Sequence, residues 1–223
     1  MAVVTISRQM GSLGFEIGNL VAECLGYRVV WRELINEAAI RSGTPDVALA
    51  VIDELGLLGM TPTAKNSEAY LQAVKSVVLE LAGKGNVVLV GRAGQRILAA
   101  YPGTVHVRLI APMDLRIQRI AHEQNISIDA ARAQIEASDR SRRLYLKRYY
   151  QADWEDASLY DLLINTGRIS SQEACDLICM AARQVDLKAG NRINRWQEPI
   201  FEHSGEWNAA LCRANRGDLR ENP

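Results

Sequence analysis

The sequence has no excess of either charge. Lys and Arg total 26, Asp and Glu total 26, and the formal net charge is zero. That balance argues against binding nucleic acid or an anionic membrane by bulk electrostatics, and leaves only local basic patches. No apolar run reaches the length of a membrane span. The N-terminus enters a strand pattern directly and shows no signal-peptide pattern. Cysteine is sparse: Cys24, Cys175, Cys179 and Cys212 form no C-x-x-C pair. With His106, His122 and His203 scattered, the spacing offers no zinc site, and no metal ligands are assigned. Cys175 and Cys179 stand i, i+4 on an expected helix, where buried free thiols are favoured over a metal pair. Together these absences point to a reduced, cytoplasmic protein.

What is present is ordinary for a globular α/β chain. The 223 residues are 48% hydrophobic and 23% charged, enough for one good core and a small further part. The informative stretch is Val3–Leu25. Val3, Val4 and Ile6 form a short apolar strand, and Gly11 and Gly14 bracket a turn. Ile17, Leu20, Val21, Cys24 and Leu25 then recur at helical spacing. A strand that runs through a glycine turn into a helix N-terminus suits an anion, because the first helical N–H groups are unpaired and the dipole end is positive. In the register of the phosphate loop G-x-x-x-x-G-K-[ST], with Gly14 as the second glycine, Gln9 replaces the first glycine. Phe15 then replaces the lysine and Glu16 the hydroxyl residue. The loop has the architecture without the charge chemistry, and by itself is equally compatible with a purely structural turn.

Further strands are expected at 27–31, 87–90, 105–110 and 162–164. Helices are expected at 33–41, 47–58 and 67–81, after Gly94, from Asp114, over 127–150 as one or two pieces, and after the capping box Ser170-x-x-Glu173. Val87–Val90 is apolar at every position, which marks a central strand covered on both faces. Strands alternating with helices imply a mostly parallel sheet flanked by helices, with ligands outside the carboxyl ends of the strands. From Ala189 the apolar stripes end and the charges mix. Residues 189–223 read as a tail or arm: a loosely packed extension, or a segment that Trp196, Phe201 and Trp207 dock on the body or on a partner, with the first reading favoured.

The strongest charged stretch is Ser127–Tyr150, which carries Arg132, Arg140, Arg142, Arg143, Lys147 and Arg148. On a helix Arg140 and Arg143 share a face. Three readings stand: a solvated helix face, a nucleic-acid-binding helix, which the neutral net charge disfavours, or an arginine lid that closes over phosphates. Arg92, one residue after a central strand and its glycine, is a surface arginine or a phosphate contact. Asp114 suits the first turn of a helix as an acid.

The order and spacing of ISRQMGSLGFEIG, WRELI, VVLVGRAGQRIL, APMDLRIQRI and DRSRRLYLKRYYQADWEDASLYDLLINTGR resemble the cytidylate kinase-like family of phosphate-loop kinases over about residues 3–187. The resemblance implies a five-stranded parallel sheet flanked by helices in a domain of residues 1–188, a helical monophosphate-binding insert at about 33–82, and a helical lid at about 122–152. It implies ATP and Mg2+ as cofactors and transfer to a nucleoside monophosphate, CMP or dCMP by default. A nucleotide-binding sensor or regulatory partner without transfer is the alternative. By position, Gly11, Ser12 and Gly14 would line the phosphate loop with Arg8 and Gln9 at its entrance, and Asn165, Thr166 and Gly167 would lie beside the donor base. Arg92 and Asp114 would bind the acceptor, and Arg140 and Arg143 would be the lid arginines. Phe15, Glu16 and Trp31 stand where the family has its lysine, a small or hydroxyl residue and a common aspartate. The partner implied is a nucleotide, with neither nucleic acid nor membrane. A homodimer is one assembly open to the chain.

Overall fold

A computed structural model describes residues 2–31, 41, 43 and 64–193. The chain divides into two units, Met1–Ala189 and Gly190–Pro223, and of the second only residues 190–193 are described, as the end of a helix. Expected helices at 33–41 and 47–58, most of the insert, and the tail with Trp196, Phe201 and Trp207 lie outside the described residues, apart from Arg41, which is helical.

Among the described residues five strands form one sheet: β1 (Val3–Arg8), β2 (Arg28–Val30), β3 (Val87–Val90), β4 (Thr104–Ile110) and β5 (Leu162–Asn165). Every pairing is parallel and the order is β2-β3-β1-β4-β5, so the glycine turn leaves the central strand. The helices are α1 (Gly14–Leu25), α2 (Ala64–Lys84), α3 (Gly94–Ile97), α4 (Met113–Gln124), α5 (Ile128–Tyr150) and α6 (Ser171–Ile193). Local chemistry sets several boundaries. Gly26 closes α1 at φ 66°. Ser127 caps α5 by accepting from Ala130 N, and 127–150 is one helix. The Ser170/Glu173 box closes in both directions: Glu173 Oε2 accepts from Ser170 N at 2.8 Å, and Ser170 Oγ accepts from Glu173 N at 3.3 Å.

Strand alternation divides the core. Val4, Ile6, Val88, Val90, Val107 and Leu109 pack with Ile17 and Val21 of α1 and Ile178 of α6. Val3, Val87, Leu89 and Val30 point the other way, with Val74, Val77 and Val78 of α2 and Trp154. On that second face β1 beyond Val3, and β4, carry polar side chains. Thr5 Oγ1 meets His106 Nδ1 at 2.8 Å, and Trp154 Nε1 donates to Ser7 Oγ at 2.8 Å. Buried Arg108 donates to the Trp154 carbonyl and stacks over the Trp154 ring at 4.3 Å. The alternation in VHVRLI is therefore a covered polar network and not a face turned to water.

Candidate phosphate-binding site

The sheet aims its carboxyl ends at one rim, and β1 delivers the loop of residues 9–13 there. Gly11 adopts φ 78°, and a Cβ on it would meet the backbone and Cβ of Arg116 at 3.0–3.1 Å. Glycine at this position lets the loop lie directly on α4. A Cβ on Gly14 would strike Arg8 Cγ at 2.6 Å, since the Arg8 side chain crosses the start of α1. Leu13 precedes the helix in the left-handed region at φ 61°.

The loop is held from behind by its own side chains. Ser12 is fully buried, and its hydroxyl reaches the carbonyls of Gln9 at 2.8 Å and Leu109 at 3.2 Å. Gln9 Oε1 accepts from Ala111 N at 3.1 Å. Ser12 thus shapes the loop from inside, while Arg8, Gln9, Gly11 and Gly14 line a cavity of about 360 Å³ above it.

Two arginines of α4, neither singled out by the sequence, complete the support. Arg116 is buried; it donates to Ala111 O at 3.0 Å, Met10 O at 3.1 Å and Asp139 Oδ2 at 2.6 Å. Arg119 donates to Gly11 O at 3.1 Å, Thr166 Oγ1 at 3.1 Å and Thr166 O at 2.8 Å. It therefore ties the phosphate loop to the loop after β5. Burial lowers its pKa and the nearby Glu16 carboxylate opposes that shift. The available signal was helical spacing: Arg116 and Arg119 are i, i+3 on α4 and face the same side.

From α5, Asp139 reaches the same loop. Its carboxylate accepts from Met10 N at 3.0 Å, from Arg116, and from Arg142 Nη1 at 3.2 Å. Arg142 lines the cavity with Arg8 and Arg119, so three guanidiniums from β1, α4 and α5 border one space. Arg140 is exposed, and exposed Arg143 pairs with Glu155 at 2.7 Å; neither lines this cavity. Helix α5 turns Arg142 toward the loop, where it pairs with Asp139. Asp114 is exposed in the first turn of α4. Arg92 is buried at φ 53° beside a separate space of about 20 Å³, lined also by Arg8, Arg142, Tyr145 and Trp154. That volume admits about one water. Asn165 accepts from Gly167 N at 3.0 Å in an Asx turn, which presents buried Thr166 to Arg119.

Phe15, at the lysine position of the motif, and Trp31, expected at a family aspartate position, have come together. Phe15, 54% exposed, stacks on Trp31 with ring centroids 4.3 Å apart and planes at 26°, and both line the cavity. Glu16 and Glu123 are the carboxylates on its wall.

A parallel 2-3-1-4-5 sheet with a glycine loop leaving its central strand and cationic side chains around that loop defines the class: an α/β protein of the phosphate-loop kinase fold. The model of the cytidylate kinase-like family matches residues 3–168, and the chain belongs to that family. It is 29% identical over 192 residues to a cytidylate kinase of Pyrobaculum calidifontis, covering 84% of this chain and 98% of that one. It is also 29% identical over 147 residues to a uronate isomerase of Corynebacterium glutamicum; the match covers 66% of this chain but only 28% of that protein's length. Among solved structures, an uncharacterized protein of Eubacterium ventriosum superposes with TM-score 0.64 at 20% identity, over 83% of this chain and 99% of the other. A gluconokinase of Sinorhizobium meliloti superposes with TM-score 0.50 at 15% identity, over 84% and 97%.

Proposed function

We propose that the chain transfers a phosphoryl group from ATP to a nucleoside monophosphate, with CMP and dCMP as the first acceptors to test. The observation that supports this reading is the meeting of Arg8, Arg119 and Arg142 around the cavity over the glycine loop. Phosphoryl transfer needs little covalent chemistry from a protein; it needs fixed positive charge around the moving group and exclusion of water. Planar guanidiniums supply that charge and match phosphate oxygens in pairs. They take the part the motif assigns to a lysine, whose place Phe15 holds. Glu16 and Glu123, which line the cavity, carry hard oxygen donors that would suit Mg2+, and the ion would supply positive charge to offset that of the donor phosphates. Arg92, beside its own small space with Arg8 and Arg142, is the residue proposed to hold the acceptor phosphate.

The test is ADP release with ATP and Mg2+ against a panel of monophosphates. Turnover with CMP or dCMP is expected, and Arg142→Ala should lower kcat/KM by roughly 100-fold. No turnover with any acceptor would overturn the transferase reading. The stacked Phe15 and Trp31, where the motif would place charge, favour a second reading: nucleotide binding without transfer, as a sensor. Calorimetric binding of nucleotide by a chain that shows no turnover would be its signature.

A further inference from the structure

On the face of the sheet covered by α1 and α6, three thiols from two helices converge. Cys24 lies in the last turn of α1, and Cys175 and Cys179 lie one turn apart on α6. Their three sulfurs all lie within 4.8 Å of one another, and Cys175 Sγ and Cys179 Sγ are 3.8 Å apart. Cys175 and Cys179 are buried and Cys24 is exposed. Among the described residues no imidazole or carboxylate joins the group.

We propose that Cys24, Cys175 and Cys179 form a binding site for a soft divalent ion with a filled d shell, of the zinc and cadmium class. The spacing fits the ion. Tetrahedral zinc holds sulfur at about 2.3 Å, which places two sulfurs of one tetrahedron about 3.8 Å apart. The α6 pair already has that separation. Cys24 has to close by less than an ångström or so to reach it, and as an exposed side chain on a terminal helical turn it has the rotamer freedom to do so. The charge fits as well. Three thiolates around a divalent cation leave one negative charge, and Arg183 Nη2 already donates to Cys24 Sγ at 3.5 Å. A bound cation removes the thiol protons outright, so the buried pair need not be ionised beforehand. The open side at Cys24 leaves the fourth position to water. Thiolate ligands select this class over magnesium or calcium, which require oxygen.

The experiment is a titration of the reduced full-length protein with cadmium under anaerobic conditions, followed by the ultraviolet thiolate-to-metal charge-transfer band. The band should saturate at about one cadmium per chain, be competed by zinc, and survive Cys212→Ser. Cys24→Ser, at an exposed position that leaves the core intact, should weaken binding at least about 10-fold while its thermal melt stays unchanged. Absence of the band overturns the proposal, as does a band unaltered by Cys24→Ser. Cys179→Ser is the second variant; if it folds and binds cadmium like the parent, the site is likewise refuted.

Discussion

Asp139 is the carboxylate that ties the loop to two helices. Its carboxylate joins α5, α4 and the loop by bonding to Arg142, Arg116 and the Met10 amide, with the side chains of Asp139 and Arg116 only 10% and 5% exposed. Removing one partner of a buried pair strands the other charge. Asp139→Ala is therefore expected to cost about 3–5 kcal/mol in urea unfolding. Asp139→Asn, which keeps an acceptor for Met10 N, should cost less. His106 makes a prediction of opposite chemistry. Burial lowers its pKa, against the pull of the Asp161 charge, so the folded chain prefers the neutral ring beside Thr5. Below the ordinary histidine value of about 6.5 the unfolded chain takes up the proton before the folded one. Stability from this residue is complete above that pH and falls as pH drops through the depressed folded value. Unfolding midpoints at pH 7.5 and 5.5 should differ more in the parent than in His106→Asn.

At the scale of elements, α5 carries both the clamp and the cavity arginine, so its cap bears on the site. Ser127→Ala removes the acceptor for Ala130 N and should lower stability by about 1 kcal/mol in thermal unfolding. The same helix shows the limit of periodicity. Arg140 and Arg143 do share a face, as i, i+3 spacing requires, and so do Asp139 and Arg142. Only the packing of α5 decided that the second pair faces the loop. The glycine loop was legible because Gly11 and Gly14 stand between an apolar strand and a helical stripe. Ser12 was legible as a member of that loop, but its inward hydroxyl bonds depend on Leu109, 97 residues away. The roles of Arg116 and Arg119 are not legible in the sequence, because arginines on a helix carry no local sign of what they will meet.

At the scale of the whole molecule, the sheet separates two apolar clusters, with Leu89 in one and Leu109 in the other. Leu89→Ala and Leu109→Ala should each cost about 2–5 kcal/mol. Because the two side chains share no cluster, the double variant should lose the sum to within about 0.5 kcal/mol in urea unfolding. A large departure from that sum would show that the sheet transmits strain between its faces.

The sequence by itself determined the elements and their order: strands at 3–6, 87–90 and 105–110, the stop at Gly26, the box at Ser170 and Glu173, and with them a parallel sheet and a family. These rest on interactions within a few residues, or on a repeat that one face of an element must show to be buried. The tertiary structure alone decided the groupings. It set Arg8, Arg119 and Arg142 around one cavity, placed Arg92 with Tyr145 and Trp154 around another, stacked Phe15 on Trp31, and brought Cys24 to Cys175 and Cys179. Each grouping joins residues far apart in the chain, and which face of a helix turns inward is fixed by the shape of what it packs against, which local spacing does not encode.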